Sequence, residues 1–139
     1  MASFIFDQAL YSEATGDLNY SSNTFKVMLL TSSATPSKTT WLHRSDVTNE
    51  TTGTGYTAGG ATATVTVGST DTTNNKVVIT LGGVTWTSST LSAAYAVYYK
   101  STGTSSTDTL VAVVDFGGNI TSTNASFALT SSTLTKQNS

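Results

Sequence analysis

At 139 residues the chain is long enough to bury one hydrophobic core and has the length of a single domain, so residues 1–139 read as one unit. It has no cysteine, which excludes disulfides, thiolate metal sites and thiol nucleophiles. Six basic against eight acidic side chains, a net charge of −2, leave no basic surface for phosphates or anionic lipid, so neither nucleic acid nor membrane partners are expected.

The first predicted element is a helix over about residues 3–15. Ser3 can cap it, Phe6, Leu10 and Ala14 recur every four residues beside Ile5 and Ala9, and Gly16 can end it. Asp17–Asn23 is turn-like, and Phe25–Leu30 is an internal strand with apolar groups on both faces. From Thr31 to Gly60 runs a long polar connection holding the sole proline, Pro36, with Trp41, Leu42, Val47 and Tyr56 as its sizeable apolar groups. Connections of that length are functional or disordered in compact domains. Ala61–Val67 alternates, Val65 and Val67 inward, and is expected to form a hairpin with Lys76–Leu81 across Asn74 and Asn75.

Val84–Trp86 is a short apolar stop, Ala93–Tyr99 and Leu110–Phe116 are strands, Ser126–Leu129 is the last strand, and residues 131–139 are a polar tail. Serine and threonine make up about a third of the chain, and threonine suits the exposed face of a strand. The N-terminus lacks the basic residues and long apolar stretch of a signal peptide, and the longest apolar run, Ala93–Tyr99, is too short to span a bilayer, so a soluble protein made without export is expected. The fold class is mainly β: an antiparallel β-sandwich or jelly-roll-like domain with one N-terminal helix.

Ala93–Tyr99 and Leu110–Phe116 are apolar on both faces, so each needs two covers. One can be a facing sheet or the helix. The other is assigned to a second copy of the chain, which makes Tyr95, Tyr98, Tyr99, Val111 and Val113 the candidate subunit-interface residues.

Motifs that carry chemistry are weak. His43, Ser45 and Asp46 are hydrolase-triad residue types, but sequence neighbours diverge along an extended backbone, and no catalytic residue is assigned. A single histidine and eight scattered carboxylates give no zinc or two-carboxylate spacing, and no metal or other cofactor is expected. Asp71–Asn75 reads as a plain turn in preference to a calcium loop, since it lacks the terminal glutamate. The four Asn-x-Ser/Thr sequons, at Asn19, Asn49, Asn119 and Asn124, are what this composition produces by chance. Gly53, Gly55, Gly59 and Gly60 around Tyr56 lack the Lys-Ser/Thr of a phosphate loop and instead permit positive φ and close chain approach, with Tyr56 as an anchor. Trp86, Tyr95, Tyr98 and Tyr99 could alternatively be a sugar-stacking platform.

The string Arg44-Ser45-Asp46-Val47-Thr48-Asn49-Glu50, followed by Gly53-Thr54-Gly55-Tyr56-Thr57-Ala58-Gly59-Gly60, resembles a group of small tailed-bacteriophage virion structural proteins. Further landmarks are Lys26–Ser32, Val84-Thr85-Trp86, Ala94–Lys100 with Thr102-Gly103-Thr104, and Val114-Asp115-Phe116-Gly117, so the resemblance spans about residues 4–130. Thr39–His43 departs from the simpler polar or acidic stretch common in that group. The resemblance implies a capsid decoration, or cement, protein on the outer capsid surface. Its partner would be the major capsid protein, and the role favours a homotrimer. Trp41, His43, Arg44, Asp46, Glu50 and Tyr56 are the candidate capsid-contact residues. A tail or head-fibre protein, with carbohydrate-binding adhesion as its task, is the alternative.

Overall fold

Ala93–Tyr99 and Leu110–Phe116 carry apolar side chains on both strand faces, and the architecture is arranged around covering them. The computed structural model describes residues 3–137. Its elements are β1 (Phe4–Ile5), α1 (Asp7–Thr15), β2 (Phe25–Leu30), β3 (Ala61–Ala63), β4 (Val65–Val67), β5 (Lys76–Leu81), β6 (Val84–Lys100), β7 (Leu110–Leu129) and β8 (Ser132–Gln137). All strand pairs are antiparallel. They form a five-stranded sheet in the order β1-β7-β6-β2-β3 and a three-stranded sheet in the order β4-β5-β8. The mainly β sandwich with one N-terminal helix is therefore as the pattern predicts.

The chain changes sheets at Thr64. Ala63 pairs with Phe25 in the first sheet, Val65 pairs with Leu81 in the second, and the Thr64 carbonyl accepts a 2.7 Å hydrogen bond from the Gly82 amide. The expected single strand Ala61–Val67 is thus two strands. Val65 packs against the first core as expected, whereas Val67, paired with Ile79, is 45 % exposed.

Along β2, Ala93–Tyr99 of β6 and Leu110–Val114 of β7, both faces of the five-stranded sheet are covered by the chain itself. On one face Val27, Leu29, Ala96 and Tyr98 pack with Ile79, Leu81 and Leu134 of the second sheet and with Ala9 of α1. On the other, Met28, Leu30, Val97, Tyr99, Leu110 and Val113 are covered by Phe4 and Phe6 from the N-terminal segment and by Ala34, Trp41 and Val47 from the long connection. Phe4 and Phe6 meet edge to face at 5.2 Å.

This corrects the subunit-interface assignment. Tyr98, Tyr99, Val111 and Val113 are at most 1 % exposed within a single chain, and Tyr95 is half-buried against the second cluster. They are core residues, because the connection supplies the cover that was assigned to a second copy. Val111 is extra at an irregularity, where Tyr98 pairs with Ala112 and Tyr99 with Leu110, and it joins the first cluster.

Element boundaries shift as well. Ser3 does not cap the helix: Phe4–Ile5 pairs with β7, Phe6 is the N-cap residue, and α1 begins at Asp7. Gly16 ends it in the left-handed conformation, as expected. Leu10 and Tyr11 face solvent, at 50 % and 64 % exposure, while Ala9 and Ser12 are the buried positions. Val84–Trp86 is no isolated stop but the start of the 17-residue β6, and Ser126–Leu129 is the end of the 20-residue β7. The polar tail is strand β8 over Ser132–Gln137, pairing with β5 through its whole length; residues 138 and 139 lie outside the described ones.

Candidate functional site

The connection from Thr31 to Gly60 holds the chain's only arginine and histidine, and the backbone hydrogen bonds show how it is fixed. It leaves and rejoins the sheet beside β2: the Thr31 amide bonds to the Asn49 carbonyl at 2.8 Å and the Thr51 amide to the Leu29 carbonyl at 2.9 Å. Asn49 takes a positive φ of 63° to make that turn. Further on, Gly60 lies so close to β2 that a Cβ there would sit 1.8 Å from the Val27 carbonyl oxygen. Only glycine fits, at φ 81°, and the glycine spacing had indicated such an approach.

Tyr56 locks the loop. Its hydroxyl accepts from the Leu29 amide at 3.0 Å and donates to Glu50 Oε2 at 2.6 Å, and the Gly59 amide donates to the same Glu50 oxygen at 2.7 Å. The Tyr99 hydroxyl donates to the Gly59 carbonyl. Burial is the main reason that both hydroxyls titrate above the ordinary tyrosine value; for Tyr99 the pKa is pushed up to about 12, with the Arg44 charge acting the other way.

A second set of bonds ties the middle of the connection to residues 102–110. Arg44 Nε donates to Asp108 Oδ2 at 2.8 Å, and the guanidinium lies over the Tyr99 ring, 5.6 Å from its centroid. Asp108 Oδ1 accepts from the Thr102 amide at 2.6 Å and the Thr102 hydroxyl at 2.7 Å. Burial would raise the Asp108 pKa, but the hydrogen bonds from Arg44 and Thr102 outweigh it and hold the carboxyl below its ordinary value. Main-chain bonds run alongside, Arg44 N to Asp108 O at 2.9 Å and Ser45 N to Ser105 O at 3.1 Å. Between the two loops opens a pocket of about 260 Å³ lined by Met28, Arg44, Ser45, Val47, Glu50 and Ser105.

The six predicted contact residues divide unequally. Arg44 and Glu50 line this pocket. Asp46 is exposed, and its Oδ2 accepts from the His43 amide at 3.0 Å and the Leu42 amide at 2.9 Å, bonds that lower its pKa. His43 is half-buried and bridges to Thr109. Trp41, at 8 % exposure, and Tyr56, with its hydroxyl committed inward, are structural anchors and not surface contacts.

The His43, Ser45 and Asp46 side chains are not linked to one another as nucleophile, base and orienter: the Asp46 carboxylate is taken up by main-chain amides. Among the described residues no group of three or more His, Cys, Asp or Glu side chains gathers as metal ligands. Asp71 Oδ1 accepts from the Thr73 and Asn74 amides, both at 3.1 Å, and so closes the β5-side turn. Trp86, Tyr98 and Tyr99 are 6 %, 0 % and 1 % exposed, so the alternative sugar platform has no open faces there. Among the described residues, no helix is long and apolar enough to cross a membrane.

Asp108 was not singled out by sequence reasoning, and Thr102 entered only as a landmark of the resemblance, with no role in the site. A lone arginine in a sparsely charged chain predicts a carboxylate partner, but eight acidic residues offer no basis for choosing Asp108, which lies 64 positions away. Comparison with protein-family models, with curated proteins and with solved structures gave no match.

Proposed function

We propose that the chain is a bacteriophage capsid decoration protein that binds the major capsid protein on the outside of the assembled shell and acts there as a homo-oligomer, with a trimer favoured by the role. The observation that carries this reading is the use made of the residues behind the resemblance. Arg44, Glu50, Tyr56, Gly59, Gly60, Tyr99 and Thr102 all belong to the resembling strings, and all fix one loop platform through hydrogen bonds or close packing. A sequence pattern spent on the shape of a polar surface suits a protein whose work is contact.

The platform offers Arg44, Asp46 and Glu50 to a partner while its backbone is held from both sides, so little ordering free energy is lost on docking. Once one subunit of an oligomer is seated, its neighbours meet their sites at an effective concentration on the order of millimolar, so modest contacts add up to firm attachment. Binding the lattice in preference to free capsid protein stabilises the shell by linkage. Contacts between copies use surfaces other than Tyr98, Tyr99, Val111 and Val113, since these are core.

The test is to mix the purified chain with particles lacking it and to image them. Density at regular lattice positions on the shell, with raised capsid melting temperature, is the expected result. Density confined to tail or fibres would overturn the capsid assignment.

A further inference from the structure

We propose that the pocket between Arg44 and Glu50 receives one side-chain carboxamide, an asparagine or glutamine, from the partner protein; the identity of that partner as capsid protein rests on the decoration reading, the chemistry of the group does not. Among the described residues, both terminal nitrogens of Arg44 have no hydrogen-bond acceptor, its Nε being held by Asp108. Glu50 uses Oε2 for Tyr56 and Gly59, and Oε1 has no donor among the described residues. The pocket therefore presents free donors from one charged residue and a free acceptor from another, each fixed by other bonds and so pre-organised.

Charge selects the occupant. Arg44 is offset by Asp108 at 2.8 Å, and Glu50 adds a further negative group, so a carboxylate would enter a locally anionic site. A lone cation would face the guanidinium. A carboxamide satisfies both sides without charge, its oxygen accepting from Arg44 and its NH₂ donating to Glu50. Met28 and Val47 supply an apolar wall for the methylene stem. The volume of about 260 Å³ is smaller than most small-molecule sites and suits one side chain. No aromatic ring lines the pocket, which leaves a sugar without a stacking surface.

The full chain, labelled with ¹⁵N, is titrated with N-acetylglutamine methylamide, the glutamate and lysine analogues, and a methyl glycoside. Saturable shifts at residues 44–50 and 105 are expected with the glutamine probe, and binding about tenfold weaker or absent with the others, the loss that one mismatched hydrogen-bonding group brings. Ser105 is half-buried and its side chain makes no hydrogen bond among the described residues, so Ser105→Trp should fill the pocket, abolish those shifts and lower shell occupancy about tenfold. If Ser105→Trp lowers the melting temperature, the exposed Ser45→Trp replaces it. No saturable shift, or tighter binding of the glutamate probe or the glycoside, overturns the pocket chemistry. Normal coating by the filled variant overturns the partner assignment. Should the wild-type chain fail to coat shells, the decoration reading falls and the probe series alone still decides the pocket.

Discussion

The two faces of the five-stranded sheet carry two separate cores that are differently covered. One is closed by a second sheet, in which Ile79, Leu81 and Leu134 repeat with the strand period. The other is closed by irregular chain, with Phe6 placed by the N-terminal segment and Ala34 and Trp41 by a connection that touches the sheet through only a few main-chain bonds, at Leu29, Thr90 and Leu110. Adjacent tyrosines divide between them: Tyr98 points into the first core and Tyr99 into the second. An apolar face on a strand thus demands a cover without specifying what supplies it, and a polar-looking connection with a few well-spaced apolar residues is sufficient.

If the irregular cover is a true second core, truncation on either side should unfold the chain by similar amounts. Tyr98→Ala removes a fully buried ring and a 2.8 Å hydrogen bond to the Gly82 carbonyl, and should cost about 5 kcal/mol. Trp41→Ala should cost about 3–4 kcal/mol, because its neighbours in the connection can partly collapse into the space. Denaturant unfolding followed by tryptophan and tyrosine fluorescence measures both. A loss below about 1 kcal/mol for Trp41→Ala would mean that the connection only rests on the sheet.

The regular side was the more legible one in the sequence. Phe25–Leu30, Lys76–Leu81 and the two-faced segments gave strands where strands exist, because they are short, rich in β-branched and aromatic residues and bounded by turn residues. The lower half of the β6–β7 hairpin was not legible. Its buried positions on β6 are Trp86, Ser89, Leu91 and Ala93, and the step of three comes from a bulge at Ser88, whose φ is 48°. Ser89 itself is fully buried, its hydroxyl bonded to the Trp86 and Ala125 carbonyls and to Ser122, so a serine occupies a place where the period expects an apolar group. Of the site, the connection and its charged residues were visible. Its closure was not, because hydrogen bonds such as Arg44 to Asp108 depend on which loops the topology brings to one end.

Within that closure Glu50→Ala should cost about 2 kcal/mol, since it strands the Gly59 amide and the Tyr56 hydroxyl together. Glu50→Gln, which keeps an acceptor oxygen, should recover much of it. Thermal unfolding of the pair separates a lost charge from a lost acceptor.

The pH dependence distinguishes the closure from the cores. Asp108 has a folded pKa below its ordinary 3.8, so its contribution is fully present above that value. As pH falls below 3.8 the unfolded chain takes up the proton first, and the contribution is lost by the time the folded pKa is passed; Asp108→Asn should flatten this acid limb. Tyr98 and Tyr99 are pushed from 10.0 up to about 12, chiefly by burial, one in each core. Their contribution is complete below pH 10 and disappears as pH rises toward 12, which an alkaline denaturation series measures.

The smallest effect comes from the helix, where four-residue spacing pointed Leu10 inward and the fold turns it out. The spacing counted Phe6 as helical, whereas Phe6 is the N-cap residue and enters the second core from extended backbone, which frees α1 to be rotated by the burial of Ala9 and Ser12. Leu10→Ser should therefore shift stability by no more than about 0.5 kcal/mol. Ala9→Leu, which pushes a larger side chain into the first core, should destabilise by about 1–3 kcal/mol. Equal effects of the two substitutions in a melting experiment would place Leu10 against the sheet and rotate the helix back to the face that its period suggested.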